Sequence, residues 1–227
     1  MNPTAKPTVR VVQMKKVLRK IAQAYDTIAQ EYANAFTDEH AKKPKDQEIL
    51  QRFANKIGDK KPVWDLGCGP GQTTKYLNDL GIAISGLDLS AKILDQAKAL
   101  YPKIHFRQGN LLDLEFKNDS IAGIVAFYAT VHFTEAHVGR AFCEIFRVLQ
   151  PGGLFLSAYH LGKEPIHIDT FLGKKVDLPF VPLTTDFIFR CLTDQGFEKI
   201  EAIEREPYPD VEYESRRAYV FAVKPTS

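Results

Sequence analysis

An α/β fold built on one mostly parallel, seven-stranded sheet is predicted, with an antiparallel strand pair at its C-terminal end and a helical extension at its N-terminal end. Three observations predict it. From about residue 60 onward, short apolar segments alternate with amphipathic helical ones, the pattern of a parallel sheet covered on both faces. Near the C-terminus two strand-like segments follow one another with no helix between them, so they can pair antiparallel. Before residue 60 the apolar residues recur at helical spacing instead.

The extension comes first. Met14, Val17, Leu18, Ile21, Tyr25, Ile28, Tyr32 and Phe36 trace one face of a long helix. The polar stretch Thr37–Lys45 interrupts it, and Pro44 opens a second helix carrying Ile49, Leu50, Phe53 and Ile57. Strands then read as Val63–Leu66, Ile82–Leu87, Ile104–Arg107, Ile121–Phe127 and Leu154–Tyr159, with helices at Thr73–Leu80, Ala91–Leu100 and Glu135–Leu149. Gly81 and Pro102 fall where helix stops belong. A last helix, Thr185–Gln195, ends at Gly196, and strands Glu198–Glu204 and Arg217–Val223 follow. Residues 1–59 therefore read as a tail and helical lid, and 60–227 as the core, with a cap-like insertion at about 160–186. Met1–Arg10 reads as a frayed tail, with no apolar run behind it to make a signal peptide.

The whole chain of 227 residues suits one domain. Its 44% apolar and 26% charged residues exclude disorder, and a net charge of +2 gives no strong field towards nucleic acid or anionic lipid. Three cysteines (Cys68, Cys143 and Cys191), odd in number and without a CxxC, suit reduced thiols in a cytoplasmic protein. No apolar run approaches the roughly 20 residues that span a bilayer, so no membrane partner is expected.

The chemistry-bearing segment is Val63-Trp64-Asp65-Leu66-Gly67-Cys68-Gly69-Pro70-Gly71-Gln72, a buried strand running through a glycine-rich turn into a helix. Glycines belong there because a Cβ would block the tight turn and the approach of a ligand to the backbone. Asp88 ends the second strand 23 residues after Asp65, where a carboxylate can take two ribose hydroxyls. A nicotinamide-dinucleotide loop needs a third small residue where this chain has Gln72.

The segment resembles motif I of the class I S-adenosylmethionine-dependent methyltransferases, in particular the small-molecule group of methyltransferase types 11 and 25. The resemblance continues through Asp88, Gln108-Gly109-Asn110-Leu111, Ala126-Phe127-Tyr128-Ala129-Thr130-Val131-His132-Phe133 and Arg147-Val148-Leu149-Gln150-Pro151-Gly152-Gly153. It is good over about residues 60–160 and looser in the flanks. It implies a Rossmann-like fold and S-adenosyl-L-methionine as cofactor. Gly67, Gly69 and Gly71 would admit the methionine part, with Asp65 shaping the loop. Asp88 would take the ribose hydroxyls, the following Leu89 would also contact the cofactor, Asn110 and Leu111 would hold the adenine, and Phe127 would border the sulfonium. Two positions depart from the family: Asn110 stands where an acid is common, though an amide oxygen can still accept from adenine, and Ala122 stands where the fourth strand commonly opens with an acid.

The resemblance also implies methyl transfer to a small molecule, by direct in-line displacement and without a metal. Whether the acceptor offers O, N or C stays open. His132 and Tyr128, after the fourth strand, are the candidate catalytic pair; His132 reads equally as a base or as a packed histidine. Tyr128 and Tyr159 both stand near strand ends, where either could line a pocket or pack the core. Tyr25 and Tyr32, seven apart on the first helix, are lid candidates. The insertion, with Pro165, Pro179, Pro182 and aromatics, suits a substrate cap or a packed connector. A nucleic-acid partner is disfavoured by the absence of an Asn/Asp-Pro-Pro-aromatic segment after the fourth strand. A monomer or homodimer is expected. A non-catalytic module binding S-adenosylmethionine or its product remains as an alternative, and less favoured, an NAD(P)-dependent oxidoreductase.

Overall fold

The computed structural model describes residues 9–226. Most of the expected tail, residues 1–8, lies outside them. The strands in chain order are β1 (Val63–Leu66), β2 (Ile84–Asp88), β3 (Phe106–Gln108), β4 (Ile121–Phe127), β5 (Leu149–His160), β6 (Ile166–Phe171), β7 (Lys174–Phe180), β8 (Glu198–Arg205) and β9 (Arg217–Val223). Seven of them form one sheet in the order β3-β2-β1-β4-β5-β9-β8, while β6 and β7 pair on their own. The first five are parallel. β9 runs antiparallel to both β5 and β8, so the expected antiparallel end is present, with the last strand inserted inside it.

The helices are α1 (Val9–Thr27), α2 (Ala29–Phe36), α3 (Pro44–Ile57), α4 (Gln72–Asp79), α5 (Ala91–Leu100), α6 (Glu135–Val148) and α7 (Thr185–Asp194). β4 is buried along its whole length, as a central strand covered on both faces must be. Ile124 and Ala126 face one apolar layer with Val138, Phe142 and Ile145 of α6. Val125 and Phe127 face the other, with Ile49, Phe53 and Ile57 of α3. No helix among the described residues is long and apolar enough to cross a membrane.

One expectation needs correction here. The long first helix is two helices, broken at Ile28, whose ψ of 11° leaves the helical range. Both pieces bury apolar residues, and Ile28 itself is fully buried, so the periodicity runs on unbroken across the break. The insertion at about 160–186, expected as a substrate cap or a packed connector, is built of strands. It contains the hairpin β6–β7, turned at Leu172 and Gly173, both at positive φ (50° and 76°) as a two-residue type I′ connection requires. Lys20 of α1 reaches Asp177 of β7 at 2.7 Å, and Lys174 reaches Glu31 of α2 at 3.1 Å, so the hairpin lies against the N-terminal helices.

Candidate functional site

Strand order reverses between β1 and β4, and the carboxyl ends of both strands open into a crevice there. A cavity of about 620 Å³ occupies it, roofed by α1, α2 and the hairpin. Gly67, Gly69, Asp65, Asp88, Leu89, Asn110, Leu111, Phe127, Tyr128 and His132 all line it. Gly71, expected to admit a ligand, does not. A Cβ there would stand 2.8 Å from Phe106, and its φ of 89° serves the tight turn into α4 and the packing of that helix. Tyr159 is buried among α6 and α7 residues and takes the core role.

The backbone pins the glycine loop to β2, since Gly67 and Cys68 both donate to the Leu87 carbonyl at 2.7 and 3.1 Å. Gly67 sits at φ 71°, and a Cβ on it would lie 2.5 Å from that of Ala129. Asp65, at the end of β1, is buried; its Oδ2 accepts from Thr74 Oγ1 at 2.7 Å and its Oδ1 has no partner. Burial lifts its pKa to about 7, against the Thr74 hydrogen bond that opposes the rise. Gln72 Oε1, another buried unpartnered acceptor, lines the same end of the cavity.

Asp88 accepts from the Gly69 N–H and from the Ser90 N–H, each at 2.9 Å. Burial raises its pKa, and these two donors oppose the rise. Ser90 caps α5, accepting from Ile93 N–H at 3.1 Å while donating to Asp26 of α1 at 2.6 Å. Asn110 Oδ1 accepts from Leu112 N–H at 2.9 Å, so an adenine N–H would share an oxygen already holding the turn.

The lid closes from α1 and α2. The Tyr32 ring stands 3.7 Å from where a Gly69 Cβ would be, and the Tyr25 and Tyr32 rings meet edge-on at 5.4 Å. His132 is buried between lid and cap. Its Nδ1 lies 2.5 Å from the Pro179 carbonyl of β7, which can only accept, so Nδ1 carries the proton. Its Nε2 therefore accepts from Tyr25 Oη, 2.9 Å away. Burial lowers the His132 pKa, with the Pro179 hydrogen bond opposing, and leaves the ring neutral.

Residues 63–153 match the family model described as a methyltransferase domain. An uncharacterized methyltransferase from Synechocystis is 37% identical over 106 residues, 47% of this chain and 49% of that protein. A malonyl-[acyl-carrier protein] O-methyltransferase from Erwinia billingiae is 30% identical over 178 residues, 78% of this chain and 66% of the relative. The chain belongs to the class I S-adenosylmethionine-dependent methyltransferase superfamily. It spans about half to two thirds of the length of these relatives. In fold it is similar to the crystal structure of an S-adenosylmethionine-dependent methyltransferase from Methanosarcina mazei, with a TM-score of 0.69 at 18% identity, covering 78% of this chain and 98% of that one.

Beyond the shared methyltransferase segment, the cavity continues past Tyr128 to residues that sequence reasoning did not select: Lys43, His160, Glu212, Tyr213 and Arg217. Tyr128 sits at φ 54°, a conformation uncommon outside glycine that turns its ring onto His160 at 5.0 Å, and its Oη is buried with no partner. Lys43 pairs with Glu39 at 2.5 Å, and Glu212 takes both Arg205 (2.5 and 2.8 Å) and Arg217 (3.2 Å). These residues come from the turn before α3, the end of β5, the loop after β8 and the start of β9, separated by up to 174 positions in the chain, and only the fold brings them to one wall. His160 alone carried a local signal, as the last residue of a strand at the sheet's carboxyl edge.

Proposed function

We propose that this chain transfers a methyl group from S-adenosylmethionine to a small-molecule acceptor. One observation carries the reading: two buried, unpartnered oxygens at the glycine loop, Asp65 Oδ1 and Gln72 Oε1, stand at one end of a cavity that also presents the Asp88 carboxylate. Unpaired buried acceptors call for a donor, and an α-ammonium fits them; a carboxylate beside bare glycine backbone fits a vicinal diol. When bound, S-adenosylmethionine would supply the methyl group on a sulfonium.

The remaining roles belong to the chain. Gly67 and Gly69 leave room for the methionine part, Asp65 and Gln72 hold its ammonium, and Asp88 with Leu89 faces the ribose. Asn110 and Leu111 hold the adenine, and Phe127 borders the sulfur. Transfer then needs a nucleophile aligned with the methyl group and, for a hydroxyl or amine, a route for its proton. His132 Nε2 is occupied by Tyr25, so His132 acts through Tyr25: Tyr25 Oη takes the acceptor's proton as its own moves to Nε2. Tyr128 Oη, buried and unpartnered, orients the acceptor.

The test begins with thermal shift. S-adenosylmethionine and S-adenosylhomocysteine should raise the melting temperature, while NAD and NADP should not. Stabilisation by NAD with none by S-adenosylhomocysteine overturns the reading. Labelled methyl transfer into a metabolite library then separates an enzyme from a module that only binds the cofactor.

A further inference from the structure

Resting on the methyltransferase reading, we propose that the acceptor is an uncharged hydroxylated aromatic, bound with its hydroxyl towards Tyr128 and its apolar body extending to a rim at Ile166, Val211 and Tyr213. Three features of the cavity beyond Tyr128 lead there.

The first is charge. Among the described residues four charged side chains line this end, Glu39, Lys43, Glu212 and Arg217, and all are paired within the protein. Arg205 stands behind them, bonded to Glu212 and at 3.0 Å to Asp46. Lys43, Glu212 and Arg217 carry side chains no more than a tenth exposed, so pairing one with a ligand would strip a buried partner of its counter-charge. His160 adds none: burial, then Arg217 and Lys43, push its pKa to about 3, and the ring is neutral. A ligand carrying a phosphate, carboxylate or ammonium would find no free opposite charge there among the described residues.

The second is shape and surface. One wall is Tyr128, His160, Phe180 and Tyr213, with neighbouring ring centroids 5.0 to 5.5 Å apart. Phe36 and Phe171, beside Tyr32, line the cavity from the lid and hairpin. Planar apolar molecules gain most between such faces. At the mouth, apolar surface continues outward. Among the described residues four large apolar side chains are exposed, Leu100, Ile166, Val211 and Tyr213, and the last three line this cavity at 43, 42 and 58% exposure.

The third is an unmet polar group at this end. Tyr128 Oη is buried without a partner, and burial pushes its pKa well up, so it is a neutral phenol offering one hydrogen bond. One hydroxyl on an otherwise apolar ligand meets that demand.

Three probes share one apolar body and differ in charge: 2-naphthol, 2-naphthoate and 2-naphthylmethylamine. Each is titrated by calorimetry into protein saturated with S-adenosylhomocysteine at neutral pH. 2-Naphthol should bind roughly tenfold or more tighter than either charged probe, since they must desolvate an unpaired charge. Tyr128→Phe should weaken 2-naphthol by roughly fivefold, the loss of one hydrogen bond. Tyr213→Glu, at an exposed position, should weaken it while leaving S-adenosylhomocysteine affinity unchanged. A charged probe binding as tightly as 2-naphthol, or none binding to protein that does take up S-adenosylhomocysteine, overturns this proposal alone. Failure to bind S-adenosylhomocysteine overturns the reading beneath it.

Discussion

Replacing Asp65 by asparagine should make the protein more stable and bind its cofactor less well, both effects tracing to one buried oxygen. The carboxyl sits fully buried at the end of β1, with Thr74 on Oδ2 and nothing on Oδ1, and its pKa rises from an ordinary 3.8 to about 7. The folded state therefore holds this proton more tightly than the unfolded chain. Stability falls as pH rises from about 4 to about 7, and the full penalty is present above that window. A rise of about three pH units corresponds to roughly 4 kcal/mol, at about 1.4 kcal/mol per unit. The amide of Asp65→Asn keeps the shape and an acceptor for Thr74 but cannot ionise. The stability difference between variant and native protein should be smallest near pH 4, grow with pH, and level off above about pH 7 in favour of the variant, by up to about 4 kcal/mol. Urea unfolding at several pH values reads it directly. Calorimetry with S-adenosylhomocysteine reads the other side: losing a charged acceptor should weaken binding by roughly tenfold or more, from about 1.5–3 kcal/mol. Native affinity should fall below about pH 7 as Asp65 takes up a proton, and the variant should lose that dependence. A stability difference flat across pH refutes the raised pKa, and unchanged affinity refutes the ammonium assignment.

Asp88→Ala removes the acceptor for two backbone N–H groups as well as the proposed ribose partner, and should weaken S-adenosylhomocysteine binding by at least roughly tenfold by calorimetry. Gly67→Ala drives a Cβ to within 2.5 Å of Ala129 at a positive φ, and should cost roughly 1–3 kcal/mol in urea unfolding. Tyr25→Phe and His132→Ala should each lower turnover by about 10²-fold or more on an acceptor that must lose a proton, with S-adenosylhomocysteine affinity nearly unchanged. Their double variant should lose little more than the worse single one, because they act as one relay; additive losses speak for separate roles. Tyr219→Phe takes a hydroxyl partner from Asp46, which is fully buried, and should destabilise by about 1–3 kcal/mol with no effect on cofactor affinity.

The chain itself determined the sheet, because most of its strands are short apolar runs that alternate with helices carrying one apolar face, and the last two follow one another with no helix between them. Periodicity is local, and it located all seven strands of the main sheet within a few residues. The glycine loop and Asp88 were legible for the same reason: their spacing is set by one strand–turn–helix–strand unit. The hairpin β6–β7 was within reach too, since Ile166, Ile168, Val176 and Leu178 alternate about the Leu172-Gly173 turn, but the segment by itself reads only as a cap or packed connector, without strands. Only the tertiary structure decided the rest. It broke the first helix at Ile28, gave Gly71 to the turn, and set the His132 tautomer through Pro179, a carbonyl 47 positions away. It also gathered Lys43, Tyr128, His160, Glu212 and Arg217 on one wall. Those residues share no period and no motif. Their common property is a place near the carboxyl ends of β4 and β5, where β9 begins, and neighbourhood across a sheet is fixed by strand order, which no local pattern encodes.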